Sequence, residues 1–99
     1  MIARHAIYRL VGDGRLVIVL SYPGLERGGS VVVAPLLSAE EIAIIPVLHP
    51  KITTPVGDRY VIVERLAAIA FQELDAELAR FEDNQFELSH ALSRLFDGT

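Results

Sequence analysis

The sequence predicts a mainly antiparallel β domain closed by one C-terminal helix. Three observations carry that prediction. Short apolar runs rich in Val and Ile recur through the first two thirds of the chain. Gly, Pro and Gly-Asp turn chemistry separates them, and the C-terminal end switches to apolar spacings of three and four residues.

Residues 6–10 and 15–20 form the first pair, joined by Val11-Gly-Asp-Gly14, where Asp-Gly is a strong hairpin signal. Leu16-Val-Ile-Val-Leu20 has no polar alternation, which predicts a central strand covered on both faces. Residues 21–29 gather one proline and three glycines into a surface loop. A third strand follows at 31–37, and Pro35 inside it predicts a strand end, edge or bulge, because proline has no N–H for a ladder. Residues 42–48 and 60–63 read as two more strands, flanking a stretch with Pro46, Pro50, Pro55 and a Gly57-Asp58 turn. Leu66, Ile69, Ala70, Leu74, Leu78 and Phe81 recur at helical spacing, so this stretch taken alone reads as an amphipathic helix. The final helix has acidic first-turn residues at Glu82 and Asp83, an apolar stripe of Leu88, Ala91, Leu92, Leu95 and Phe96, and Gly98 at its end.

With 99 residues, 52% of them hydrophobic, one domain over 1–99 is expected, with apolar surface to spare for a homodimer interface. The absence of cysteine excludes disulfides and thiolate chemistry. The longest charge-free stretch, 28–39, contains Pro35 and is far shorter than the ~20 apolar residues that span a bilayer. No signal-peptide pattern is seen near residue 1, so a cytoplasmic location is expected, with no membrane contact. The net charge is −4, with five acids and six bases in 1–63 and eight acids and three bases in 64–99. No basic stripe is visible, so direct binding of nucleic acid is not expected.

Chemistry-bearing motifs are sparse. His5, His49 and His90 share no metal-ligand spacing apart from Glu87-x-x-His90, which lacks the partner helices such a site needs. Gly28-Gly-Ser-Val31 lacks the glycine after serine of a nucleophile elbow, and Lys51, the one lysine, follows proline rather than a phosphate loop. Glu40-Glu41 and Glu82-Asp83 are neighbours in sequence and read as capping or solubilising carboxylates. No metal, cofactor or catalytic group is assigned on these grounds.

Six segments in order, Ala6-Ile-Tyr8, Val32-Val-Ala-Pro-Leu-Leu37, Ile45-Pro-Val-Leu-His49, Gly57-Asp-Arg-Tyr-Val-Ile62, Leu66-Ala-Ala-Ile69 and Ala91-Leu-Ser-Arg-Leu-Phe-Asp-Gly98, are spread over essentially the whole chain. In this set the sequence resembles the CcdB toxins of type II toxin–antitoxin pairs. The resemblance implies an SH3-like barrel of antiparallel strands with one C-terminal α-helix, acting as a homodimer. It also implies a protein that is not an enzyme and inhibits a type II topoisomerase by binding the DNA gyrase A subunit. A CcdA-like antitoxin would neutralise it, and DNA would be met only through the antitoxin complex. It further favours an extended start at 66–71, although Ala70 and Asp75 stand where the family has proline and glycine.

Carried over by position, the gyrase-binding surface falls on Ser93, Asp97, Gly98 and Thr99 with Tyr22, Gly24 and Leu25 of the loop. Asp97 and Thr99 replace the family's tryptophan and isoleucine, which exchanges an aromatic anchor for a carboxylate and implies weaker poisoning. Two alternatives stand beside this reading. One is a MazF/Kid-like endoribonuclease on the same barrel, with Arg9, Arg15 and Arg59 and either His5 or His49 as its chemistry. The other is a toxin-derived binding protein without gyrase activity.

Overall fold

A computed structural model describes residues 4–21, 29–80 and 85–97, of which 85–87, 89 and 97 are described in backbone only. Among the described residues seven strands and one α-helix follow in order: β1 (Ala6–Leu10), β2 (Leu16–Val19), β3 (Ser30–Leu37), β4 (Lys51–Thr54), β5 (Gly57–Val61), β6 (Ala67–Ala70), β7 (Leu74–Arg80) and α1 (Gln85–Asp97). Every pairing is antiparallel, in the spatial order β4-β5-β3-β2-β1-β7, with β6 also on β3. The expected small, mainly antiparallel barrel with one C-terminal helix is the observed fold.

Strand β3 is the hub. On one side it pairs with β2; on the other it pairs with β6 through Val33 and then with β5 from Leu36. Pro35 lies at that changeover. Its carbonyl accepts a hydrogen bond from the Ile62 N–H at 3.0 Å, so its missing donor falls in the gap between two ladders, where none is needed.

Alternation along β2 divides the interior. Leu16 and Ile18 enter the main core with Ile7, Ala34, Leu36, Ile52, Val61 and Val63, and α1 covers that face with Leu88 and Ala91. Val17 and Val19 enter a second cluster with Val31 and Val33 on the opposite face. All four residues of β2 are buried, as a strand covered on both sides requires.

Two expected elements are corrected. Residues 66–80 do not form a helix: the extended start is present as β6, followed by a 3-10 turn at Phe71–Glu73 and by β7, while Phe81 lies outside the described residues. The edges of β3 and β1 offer antiparallel partners to this segment, the second with register shifts on either side of Tyr8, and that tertiary pairing overrides the helical preference of its alanines. Residues 42–48 form a bend, irregular backbone and a turn at 46–48 rather than a strand, and the strand lies after Pro50, at β4. Pro46 interrupts the earlier run, while Lys51-Ile-Thr-Thr54 pairs with β5 across a tight turn at residues 55–56.

Candidate functional site

Two hairpins build one side of the molecule. In the first, the Leu10 N–H donates to the Arg15 carbonyl at 2.8 Å and closes a loop in which Gly12 and Gly14 take positive φ values of 95° and 70°. Asp13 sits inside that loop. Its Oδ1 accepts the Arg15 N–H at 3.0 Å, and its Oδ2 lies 3.3 Å from Arg15 Nε, so one carboxylate holds both the backbone and the guanidinium of Arg15. Arg9 reaches across the same loop to donate to the Gly14 carbonyl at 3.3 Å.

The second hairpin, β4–β5, repeats the device. Thr53 Oγ1 donates to Asp58 Oδ1 at 3.0 Å, and Lys51 Nζ lies 3.3 Å from Asp58 Oδ2. The hydrogen bond from Thr53 leads these contacts in holding the Asp58 carboxyl below its usual range. Arg59 Nη1 donates to the Asp58 carbonyl at 2.8 Å. Gly57 has φ 111°, and a Cβ there would stand 3.3 Å from Arg59 Nη1.

Between the hairpins lies a cleft of about 680 Å3 whose floor is formed by Leu16, Pro35, Leu36 and Leu37. Arg9, Arg15, Arg59 and Arg65 line it, so four of the chain's eight arginines face one space. Glu41 is the one carboxylate among its described lining residues. Its Oε1 accepts the Ser38 N–H at 3.1 Å and the Ser38 hydroxyl at 3.0 Å, and its own N–H donates to the Ser38 carbonyl at 3.0 Å. The bond from the Ser38 N–H is the carboxylate half of a capping box, set in a turn. The bonds from the Ser38 backbone and then its hydroxyl hold the Glu41 carboxyl below the usual range, with smaller help from Arg59 and Arg15.

The histidines lie elsewhere. His49 is buried; its Nδ1 accepts the Ile45 N–H at 3.0 Å, so Nε2 carries the proton and donates to the Glu64 carboxylate at 2.8–2.9 Å. His5 is also buried, with φ 65°, and burial, aided by Arg4, lowers its pKa. Neither lines the arginine cleft. A second cleft of about 510 Å3 lies on the other face of the β4–β5 hairpin, where Tyr60, His49 and Val47 meet His90 and Arg94 of α1. No three His, Asp or Glu side chains among the described residues gather as a metal site.

Of the residues carried over from the CcdB resemblance, Ser93 is exposed on α1 and lines neither cleft, and Asp97 is the last residue of that helix. Tyr22, Gly24, Leu25, Gly98 and Thr99 lie outside the described residues. The structure does bring Arg9, Arg15 and Arg59 together, and adds Arg65 and Glu41, which sequence reasoning did not connect to them. A signal was present: Gly12-Asp-Gly-Arg15 and Gly57-Asp-Arg59 each set an arginine at the foot of a Gly-Asp turn.

No family model and no curated protein matches the sequence. Solved structures do match the fold. One is an endoribonuclease in complex with its cognate antitoxin from a mycobacterial species, at 20% identity and TM-score 0.77, covering 98% of this chain and 96% of that one. Another is the Mycobacterium tuberculosis toxin MazF-mt6, at 18% identity and TM-score 0.74, covering 93% of this chain and 96% of that one. A third, an endoribonuclease from a mycobacterial species, has 18% identity and TM-score 0.76, covering 97% of this chain and 91% of that one. The fold is that of these proteins. The expected membership of the CcdB family is corrected by this finding, since two of these structures are endoribonucleases and the other is a MazF toxin. The expectation that the chain is not an enzyme rested on that membership and falls with it; the expected gyrase partner loses its support too.

Proposed function

We propose that this chain is the toxin of a toxin–antitoxin pair and that it cleaves single-stranded RNA in the arginine cleft. The observation that carries this reading is the convergence of Arg9, Arg15, Arg59 and Arg65 on one apolar-floored space in a chain of net charge −4. A polyanion is the ligand such a cleft fits, and planar guanidinium groups suit phosphate oxygens. RNA brings its own nucleophile, the 2′-hydroxyl. Attack of the 2′-oxygen on the neighbouring phosphorus forms one P–O bond and breaks the bond to the 5′-oxygen. The products are a 2′,3′-cyclic phosphate and a 5′-hydroxyl. Negative charge on the phosphoryl oxygens rises in the transition state, and fixed cations stabilise it there without reorganising; removing one such donor costs on the order of 10²–10³ in rate. The similarity to endoribonucleases, one of them bound to its antitoxin, supports both the reaction and an antitoxin as partner.

The working unit in this reading is a homodimer in the cytoplasm. Ile45, Val47 and Phe96 are exposed, Phe96 at 70%, and apolar surface of this kind is what a dimer covers. Light scattering giving twice 10.9 kDa at micromolar concentration is the expected result, and a monomer mass refutes the dimer. Among the described residues no helix is long and apolar enough to cross a membrane. The cleavage itself is tested by incubating the purified protein with single-stranded RNA and mapping the ends of the fragments.

A further inference from the structure

Proton transfer is the part of RNA cleavage that the arginines do not supply, because guanidinium groups stay protonated. Among the described residues lining the cleft, the rest are apolar side chains, a glycine and Glu41. His49 is committed on both ring nitrogens to Ile45 and Glu64, and His5 does not reach the cleft. On the proposed cleavage reading, therefore, we infer that Glu41 is the general base, taking the 2′-hydroxyl proton, and that Ser38 is its positioning residue.

Both bonds from Ser38 end on Oε1, and Oε2 has no hydrogen bond among the described residues. One oxygen is thus anchored while the other is open to a substrate hydroxyl. The carboxylate receives that proton as the 2′-oxygen bonds to phosphorus, the 5′-oxygen leaves and takes a proton from solvent, and Glu41 returns its own to water. Arg9, Arg15, Arg59 and Arg65 are the charged groups sharing the cleft with it, and Arg59 and Arg15 favour its ionised form. Activity needs that ionised form. The acid limb of the rate profile should therefore lie below the ordinary carboxylate range, and removing the Ser38 hydroxyl should move it to higher pH.

A purely structural capping role makes a different prediction, because Glu41→Gln keeps an oxygen that accepts from Ser38. The test is single-turnover cleavage of a single-stranded RNA by wild type, Glu41→Gln and Ser38→Ala from about pH 4 to 8, alongside binding of the same sequence as uncleavable 2′-O-methyl RNA. Glu41→Gln should lose about 10²-fold or more in rate, with binding unchanged or tighter, since a negative charge has left an arginine cleft. Ser38→Ala should lose less rate than Glu41→Gln at neutral pH and show the raised acid limb. If Glu41→Gln cleaves at the wild-type rate, or Ser38→Ala leaves the limb in place, the inference is overturned while RNA cleavage stands. If wild type cleaves no RNA, both fall.

Discussion

His49 and Glu64, fifteen residues apart, are joined by a hydrogen bond of 2.8 Å from the buried imidazole to the carboxylate. The bond ties the turn-rich stretch before β4 to the 3-10 turn at Val63–Arg65, between the barrel and α1. Burial works to raise the Glu64 carboxyl, but the bonds from His49 and its own backbone outweigh it and hold the group below the usual value of 4.5.

A depressed carboxyl contributes stability that is present above its unfolded value and lost as pH falls through its folded one. Glu64→Ala should therefore lower stability at neutral pH by about 1 kcal/mol, the low end for an orphaned donor, because the carboxylate is 32% exposed and water replaces it in part. The loss should shrink as pH drops below 4.5 toward the folded value, as urea unfolding at several pH values will measure.

Arg15 separates chemistry from stability. Its side chain is 78% exposed and its pair with Asp13 is a surface pair, worth about 0–1 kcal/mol to the fold. Arg15→Ala should leave the melting temperature nearly unchanged while lowering the RNA cleavage rate by about 10²-fold. Asp13→Ala should give a smaller rate loss, because it frees Arg15 without removing it. Melting curves and cleavage rates on the same preparations check both outcomes.

Gly57 leaves room for the Arg59 guanidinium. A methyl group there meets Nη1 at 3.3 Å, and the backbone is left-handed at φ 111°. Gly57→Ala should cost about 1–3 kcal/mol and displace the guanidinium from the Asp58 carbonyl. RNA affinity should fall with it, and binding of 2′-O-methyl RNA compared with denaturant midpoints will show whether the two effects arrive together.

Much of the barrel was legible in the chain. The uniform apolar run 16–20 announced a strand covered on both faces, and Asp13-Gly14 announced its hairpin. The 66–80 stretch was not, because its apolar spacing suits a helix and only the open edges of β3 and β1 make it extended. Pro35 was read as a strand irregularity, and it marks the point where β3 changes partners. The endoribonuclease alternative groups Arg9, Arg15 and Arg59, but the cleft itself was hidden for a simple geometric reason: positions 9, 15, 59 and 65 form no stripe in sequence and converge only when two hairpins and the 3-10 turn carrying Arg65 come together. Glu41 does cap Ser38, one of the two roles its sequence position suggests; its place among the arginines depends on the tertiary fold.

The most direct test is whether the purified protein cuts RNA at this cleft. Wild type incubated with a single-stranded RNA should yield discrete fragments with 2′,3′-cyclic phosphate and 5′-hydroxyl ends, and the double variant Arg15→Ala, Arg59→Ala should leave the RNA whole. The contrary result is intact RNA with wild type, or equal cleavage by the double variant.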